Sequence, residues 1–88
     1  MNDNDPVALA LAALAATISD ERRAQRFIAL TGIGTDELRR RAAEPALLAA
    51  LLRFLEAHEP DLLAVSDVIG VKPIELVEAR RQLDEGNL

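Results

Sequence analysis

The chain has 88 residues, half of them apolar and most of those leucine or alanine, which is enough for one compact domain with a modest core. It contains no cysteine, so a disulfide framework, a thiolate metal site and a cysteine nucleophile are all excluded. The formal net charge of −5 combines acidic ends with a basic middle, and this distribution favours a complementary protein surface over a nucleic-acid footprint.

The first helix is predicted from Pro6 to Ile18, because Asp5 is a good N-cap and proline is tolerated at the first helical position. Val7, Leu11, Leu14 and Ile18 share one face through their spacing of three or four residues, and the alanines at 8, 12, 15 and 16 leave the other faces thin enough for close helix packing. The uncharged stretch from Pro6 to Ser19 is shorter than the roughly 20 residues that a membrane-spanning helix needs. No basic residue precedes it, so we also expect no export signal and a cytoplasmic location.

The second and third helices are predicted to meet at a glycine. Helix two begins after a cap at Ser19 and ends at Gly32, and helix three begins at a cap on Thr35 and continues to about Ala43. Two acidic residues follow each of these caps, where they face the positive end of the helix dipole. The segment is therefore predicted as two short helices joined by a tight turn.

The fourth helix is predicted from Pro45 and covers the segment PALLAALLRFLEAHE. It is apolar on almost every side, which is typical of a helix at the centre of a fold. One stripe consists of Leu48, Leu51, Leu52 and Leu55, and Leu47 and Phe54 cover a different side. We predict that this helix is the core helix.

The last two helices complete the predicted bundle. Helix five begins at Pro60 and ends at Gly70, and helix six begins at Pro73 and ends at Gly86. The residues of helix six expected to point inward are Ile74, Val77 and Leu83. The chain reads as one domain over residues 1–88, with residues 1–5 and 85–88 frayed.

One corner occurs twice, in FIALTGIGTDEL at 27–38 and in VSDVIGVKPIEL at 65–76. In each, an apolar helix ends at Gly32 or Gly70, a branched residue follows, and a new helix opens with Glu-Leu. Glycine suits such corners because the residue after a helix often adopts the left-handed conformation, which costs other residues roughly 1–2 kcal/mol. The pair reflects either independent use of the same helix-ending chemistry or a duplication.

The second corner also fits a helix-turn-helix pattern, through Ser66, Gly70 and Leu76. DNA binding would place the start of the last helix in the major groove. That start carries apolar and acidic residues, and its arginines, Arg80 and Arg81, come late. Because phosphate neutralisation supplies most non-specific affinity, this surface opposes DNA binding.

Six arginines of the middle segment form what we call the arginine belt: Arg22, Arg23, Arg26, Arg39, Arg40 and Arg41. Guanidinium groups bind phosphate or carboxylate in a bidentate manner, so one interpretation is a contact for an anionic partner. RNA binding is less favoured, because the belt has no interleaved aromatic residues on which bases could stack. The alternative is a solvated face whose arginines pair with nearby acids.

Evidence for a metal site or for catalysis is weak. His58, Glu59 and Asp61 form the one cluster of metal-ligand side chains, but zinc sites usually require two or more nitrogen or sulfur ligands. With a single histidine, and with Ser19 and Ser66 explained by their helix positions, no nucleophile and base can be paired, and no glycine-rich phosphate loop is present. We expect no catalytic, cofactor-binding or metal-binding residues and no enzyme activity.

A set of residues along the chain resembles a known family. They are FIALTGI at 27–33, Asp36–Arg39, Leu51, Phe54, Leu55, Glu59, Pro73, Ala79, Arg80 and Leu83. They resemble the short, all-helical domain-of-unknown-function proteins of alphaproteobacteria. The resemblance covers nearly the whole chain and implies a cytosolic, bacterial, single-domain helical protein, without supplying any site residues.

The sequence therefore predicts an all-α, compact single-domain bundle of five to six short helices with two glycine-cornered helix-turn-helix units. A chain with surplus leucine in its central helix and no evident chemistry is predicted to be a non-enzymatic protein interaction module or adaptor. Homodimer formation is the most specific form, because a small domain gains burial in this way. The alternative is a nucleic-acid-binding regulator that uses residues 62–83 or the arginine belt; no membrane partner and no cofactor are expected.

Overall fold

The computed structural model describes residues 5–86, which form six α-helices and no strand. In chain order they are α1 (Pro6–Ser19), α2 (Glu21–Thr31), α3 (Thr35–Arg41), α4 (Pro45–Glu56), α5 (Glu59–Ile69) and α6 (Pro73–Glu85). The all-α prediction is confirmed. Within the described part of the chain, none of the helices is both long and apolar enough to cross a membrane. Residues 1–4, 87 and 88, where most of the predicted fraying falls, lie outside the described residues.

The helix starts at Pro6, Pro45 and Pro73 agree with the sequence prediction, but two caps do not. Asp20, not Ser19, caps α2, and its carboxylate accepts a hydrogen bond from the backbone N–H of Arg23 at 2.9 Å. This bond is the main reason that the pKa of Asp20 lies below its usual value. Ser19 instead ends α1, where its hydroxyl donates to the carbonyl oxygen of Ala15, four residues back.

The predicted cap at Thr35 is also wrong. Gly34 precedes α3 without a side-chain cap, and Thr35 is already helical. Three further boundaries shift by up to three residues, because α3 ends at Arg41, α4 ends at Glu56 and α5 begins one residue before Pro60. Such ends are set by local hydrogen bonds that composition does not fix.

Both glycine corners have the predicted left-handed conformation. The φ angles are 72° at Gly32 and 76° at Gly70, and each glycine ends its helix. The closing hydrogen bonds differ. At the first corner Gly32 N–H donates to the carbonyl of Ile28 at 2.8 Å, and at the second Val71 N–H reaches back to the carbonyl of Ser66 at 3.0 Å. The corners thus share a backbone conformation and close in different ways.

The prediction that α4 is the core helix is confirmed. It packs against α1, α5 and α6, and seven of its twelve residues are buried. These residues are Leu47, Leu48, Ala49, Leu51, Leu52, Phe54 and Leu55. A helix enclosed on several sides needs apolar residues around most of its circumference, which explains why this segment shows no clear polar face.

The apolar face shared by Val7, Leu11, Leu14 and Ile18 is not the buried face of α1. Of these four residues only Leu14 is buried, whereas Leu11 and Ile18 are exposed. The buried face consists of Ala10, Ala13, Leu14 and Thr17. Because α1 contacts α2, α4, α5 and α6, small side chains on its inward face let these neighbours approach closely. The hydroxyl of Thr17 donates to the carbonyl of Ala13 at 2.8 Å, so its burial leaves no unpaired donor.

In α6 the inward prediction is confirmed for Leu83 and wrong for Ile74, which is exposed. The buried residues are Leu76, Ala79 and Leu83. Their spacing of three and four residues defines one helical face, and Ile74, two residues before Leu76, lies almost opposite to it. Val77 lies at the edge of this face and is half-buried.

Candidate functional site

Asp61, near the start of α5, is a buried carboxylate held by two arginines of α2. Its side chain is 7% exposed. Arg23 donates from Nε to one carboxylate oxygen at 3.1 Å, and Arg26 donates from a terminal nitrogen to the other. Both oxygens are therefore engaged by charge-assisted hydrogen bonds, which connect α2 to α5.

Among the described residues, no group of three or more histidine, cysteine or acidic side chains is arranged to hold a metal ion. The cluster of His58, Glu59 and Asp61 singled out from the sequence does not converge, because Asp61 is directed towards Arg23 and Arg26. His58 is exposed and precedes α5 without a side-chain hydrogen bond to its backbone.

The arginine belt divides into three groups. Arg23 and Arg26 pair with Asp61, whereas Arg41 pairs within its own region with Glu44 at 2.9 Å and Glu37 at 3.0 Å. Glu44, and then Glu37, raise the pKa of Arg41 above its ordinary value. In the described part of the chain, the remaining three form no ion pair: Arg22, Arg39 and Arg40. A role of the belt in contacting a partner stays a prediction.

An open cleft of about 750 Å³ surrounds the Asp61 cluster, and we call it the arginine cleft. Its lining residues are Asp20, Arg22, Arg23, Gln25, Arg26, Ala29, His58 and Asp61. Three arginines face two aspartates there, so the cleft carries a positive excess, part of which comes from the unpaired and exposed Arg22.

A second depression, of about 600 Å³, lies between α2 and α4, and we call it the α2–α4 groove. Its lining residues are Arg26, Ala29, Leu30, Thr31, Ala50, Arg53, Phe54, Ala57 and His58. Leu30 is 75% exposed although it follows the buried Phe27 by less than one turn. Among the described residues, the lining contains three basic side chains and no acidic one. Arg26, Ala29 and His58 also line the arginine cleft, so the two depressions are adjacent.

Arg26 stands where the cleft and the groove meet, and its position is fixed from two sides. Besides its bond to Asp61, its guanidinium carbon lies 5.6 Å from the ring centroid of Phe54. This is the distance of a cation–π contact. Phe54 in turn meets Phe27 edge to face, with ring centroids 5.3 Å apart and planes at 66°. The basic edge of the groove is thus anchored to the aromatic part of the core.

Arg53, the other arginine of the groove, is fixed by a network that connects α4 to α6. It donates to Asp84, whose second oxygen accepts from Arg80 at 3.0 Å. Arg80 also binds both oxygens of Glu56, at 2.8 and 3.2 Å. Arg80, followed by Arg53, holds the pKa of Asp84 below its usual value, and Glu56, followed by Asp84, raises the pKa of Arg80.

Each of the three residues that fit a helix-turn-helix pattern has a structural role in the fold. Ser66 is buried and its hydroxyl donates to the carbonyl of Leu62 at 2.7 Å, Gly70 forms the corner, and Leu76 is in the core. Arg81, like Arg80, is already paired, through a 3.0 Å contact with Glu78. The pattern therefore coincides with a helical corner, and DNA binding by residues 62–83 remains an untested alternative.

Sequence reasoning did not identify Asp61 as the partner of the arginines, nor Leu30 as an exposed residue. One signal was present, because Arg23, Arg26, Phe27 and Leu30 have the i, i+3, i+4, i+7 spacing of a single helix face. The acid that completes the cluster lies 35 and 38 residues further along, so no local pattern connects it to that face.

The comparisons with known proteins agree with the resemblance expected from the residues. A family model described as a protein of unknown function (DUF3572) matches residues 3–86. No curated protein and no solved structure matches the chain. The match covers nearly the whole sequence, and its description assigns no activity.

Proposed function

The chain belongs to the DUF3572 family, described as proteins of unknown function, and from its surface we propose that it is a non-enzymatic protein interaction module. The observation that carries this proposal is the α2–α4 groove, in which the exposed Leu30 stands beside Phe54 and three alanines under a basic edge. Apolar patches bordered by polar residues are typical of protein interaction sites, and aromatic residues and arginine are enriched there. The cysteine-free composition is compatible with action in the reducing cytoplasm.

Leu30 is the groove residue whose burial by a partner would contribute most to binding, because it is a large apolar side chain that is 75% exposed. Full burial of a leucine side chain stabilises an assembly by roughly 1.5–3 kcal/mol, and most of this gain is unrealised at Leu30 in the free chain. The neighbouring Arg26 and Arg53 hold their positions through Asp61 and Asp84. A partner therefore meets a groove whose edges are already ordered, which lowers the entropic cost of binding.

Four of the five serine and threonine hydroxyls in the described residues support a non-enzymatic role. Those of Thr17, Ser19, Thr31 and Ser66 each donate to the carbonyl oxygen four residues back in the same helix. A hydroxyl engaged in this way is poorly placed to attack a substrate. An activated nucleophile would instead direct its hydroxyl proton to a side-chain base.

Capture from the native cell with a matched pair of variants tests the proposal. Leu30 and Val68 both precede a left-handed glycine by two residues and are 75% and 70% exposed, yet only Leu30 lines the groove. We expect the parent and Val68→Glu to recover the same partner protein and Leu30→Glu to lose it. Equal recovery by all three contradicts the proposal. Recovery of nucleic acid with a steep salt dependence would favour the regulator alternative, through residues 62–83 or the arginine belt.

Self-association is a second form of this function, and a separate surface favours it. The helix α1 contains no charged residue, and its exposed Leu11, Ala15 and Ile18 border a groove of about 320 Å³ shared with Leu38 and Ala42 of the α3 region. Arg39 also lines this groove, so two copies would meet about a two-fold axis along the uncharged surface of α1 itself, where no like charges oppose one another.

Sedimentation equilibrium tests this form. We expect the parent and Val68→Glu to form dimers at high concentration and Ile18→Glu to remain monomeric, because a buried carboxylate on the α1 face opposes association. A parent that stays monomeric at high concentration, or an Ile18→Glu variant that dimerises as the parent does, contradicts self-association through α1.

A further inference from the structure

We propose that the partner that occupies the α2–α4 groove is an acidic amphipathic helix of another protein. This inference rests on the proposed function and adds the chemistry of the partner to it. Two helices that border an apolar depression are the usual receptor for a third helix, which places its apolar side chains into the groove. The dimensions, the charge and the spare hydrogen-bond donors of the groove each point to this occupant.

The dimensions follow from three residues of α4 that line the groove and from Ala57, the cap residue that follows this helix. Ala50, Arg53, Phe54 and Ala57 have the i, i+3, i+4, i+7 spacing, so they cover two turns of one face, or about 10 Å. A ligand helix that presents apolar side chains at i, i+4 and i+7 spans the same length. Ala50 and Ala57 leave room for large side chains of the partner between the arginines.

The charge of the groove selects acidic flanks on the ligand. Arg26, Arg53 and His58 line it, and no acidic side chain of the described residues does so. In the adjacent arginine cleft, the unpaired Arg22 adds a further positive charge. A second copy of this chain placed about a two-fold axis on the same groove would bring these arginines against one another, so the charge disfavours a homodimer here.

The two groove arginines retain donors for incoming carboxylates. A guanidinium has five N–H donors, and the bonds to Asp61 and Asp84 engage one terminal nitrogen each of Arg26 and Arg53. Both side chains are about half exposed. Each is therefore held in place by one acid and keeps further N–H donors from which a carboxylate of the ligand can accept hydrogen bonds.

The test uses the full chain and two labelled peptides of about 16 residues, long enough for four helical turns. Both carry leucine at i, i+4 and i+7, and one has glutamate and the other lysine at the flanking positions. Fluorescence anisotropy measures affinity, and amide chemical shifts locate the site. We expect the acidic peptide to bind with shifts at Leu30, Ala50 and Ala57, about tenfold or more tighter than the basic peptide, which corresponds to two or more favourable charge contacts.

A matched pair of arginine variants isolates the charge contribution. Arg53 and Arg81 are 56% and 57% exposed and each makes one ion pair, but only Arg53 lines the groove. We expect Arg53→Gln to weaken binding of the acidic peptide by about two- to fivefold, the range of an exposed charge contact, and Arg81→Gln to leave it unchanged. Circular dichroism of both variants verifies that the fold is retained.

The inference would be overturned if the basic peptide bound as tightly as the acidic one or more tightly, or if the acidic peptide caused no chemical-shift changes at the groove up to millimolar concentration. Chemical-shift changes at the groove on dilution of the chain alone would indicate that a second copy is the occupant. Chemical-shift changes at the groove on addition of duplex DNA would likewise overturn it. If the cellular partner is still lost with Leu30→Glu, the proposed function stands and only the acidic chemistry fails. If Leu30→Glu also leaves capture unchanged, both fail.

Discussion

Replacing Phe27 with alanine is expected to lower the free energy of unfolding by about 3–5 kcal/mol, the range measured when a buried phenylalanine is truncated. The side chain is fully buried, and within α2, all of whose residues are described, it is the one buried residue. Its loss also removes the edge-to-face contact with Phe54. A domain of this size has a total stability of roughly 4–13 kcal/mol, so the substitution removes a large share of it.

Urea unfolding followed by circular dichroism measures the effect of Phe27→Ala. Phe27→Leu keeps most of the apolar volume, and we expect it to remain folded with a smaller loss, so the measurement stays possible if the alanine variant is unfolded. Leu30→Ala, on the same helix face but exposed, should change stability by less than about 0.5 kcal/mol. A loss for Phe27→Ala no larger than that of Leu30→Ala would show that Phe27 is not packed as described.

The helices and their corners were predictable because their signals are local. Proline at 6, 45 and 73 begins helices α1, α4 and α6, and glycine at 32 and 70 ends α2 and α5 in the left-handed conformation. Proline restricts the backbone and glycine frees it at the position that each occupies, independently of the rest of the chain. The caps were less predictable, because Ser19 and Asp20 are both good caps and only the hydrogen bond to Arg23 decides between them.

The orientation of the helices was predictable only where a polar face marks the outside. Helix α1 carries no charge, so nothing in its sequence separates the face of Leu11 and Ile18 from the face of Ala10 and Ala13. Hydrophobicity alone favours the larger residues. In the structure, close packing of four neighbouring helices against α1 selects the smaller ones and leaves Leu11 and Ile18 exposed.

The candidate site depends on contacts between distant segments, which explains why the sequence indicated its parts and not its arrangement. The arginines of α2 were recognised as a possible contact for anions, but their acid partner comes from α5. Leu30 has the periodicity of a core residue and is nevertheless exposed, beside the α2–α4 groove. Only the packing of α2 against α4 shows that an apolar groove and a basic edge lie together.

The second large expected effect concerns Leu51, which is fully buried in the middle of α4. We expect Leu51→Ala to lower the free energy of unfolding by about 2–5 kcal/mol, through the lost burial of the side chain and the cavity that it leaves. The upper part of this range applies where neighbours cannot close the cavity. Because α1, α5 and α6 all pack against α4, inward movement of one helix is resisted by its contacts with the others.

Thermal and urea unfolding of Leu51→Ala and Leu63→Ala show how much of the lost stability comes from the burial of the leucine and how much from the truncation itself. The two substitutions delete the same atoms, but Leu63 is exposed on α5 and should cost less than about 0.5 kcal/mol. With a melting-point shift of about 4–8 °C per kcal/mol in a domain of this size, Leu51→Ala should melt at least about 8 °C below the parent. A melting point within a degree or two of that of Leu63→Ala would mean that α4 is not enclosed by its neighbours. The groove between α2 and α4 would then lose its rigid wall, because Ala50, Arg53 and Phe54 keep their positions only while the buried residues of α4 hold this helix in the core.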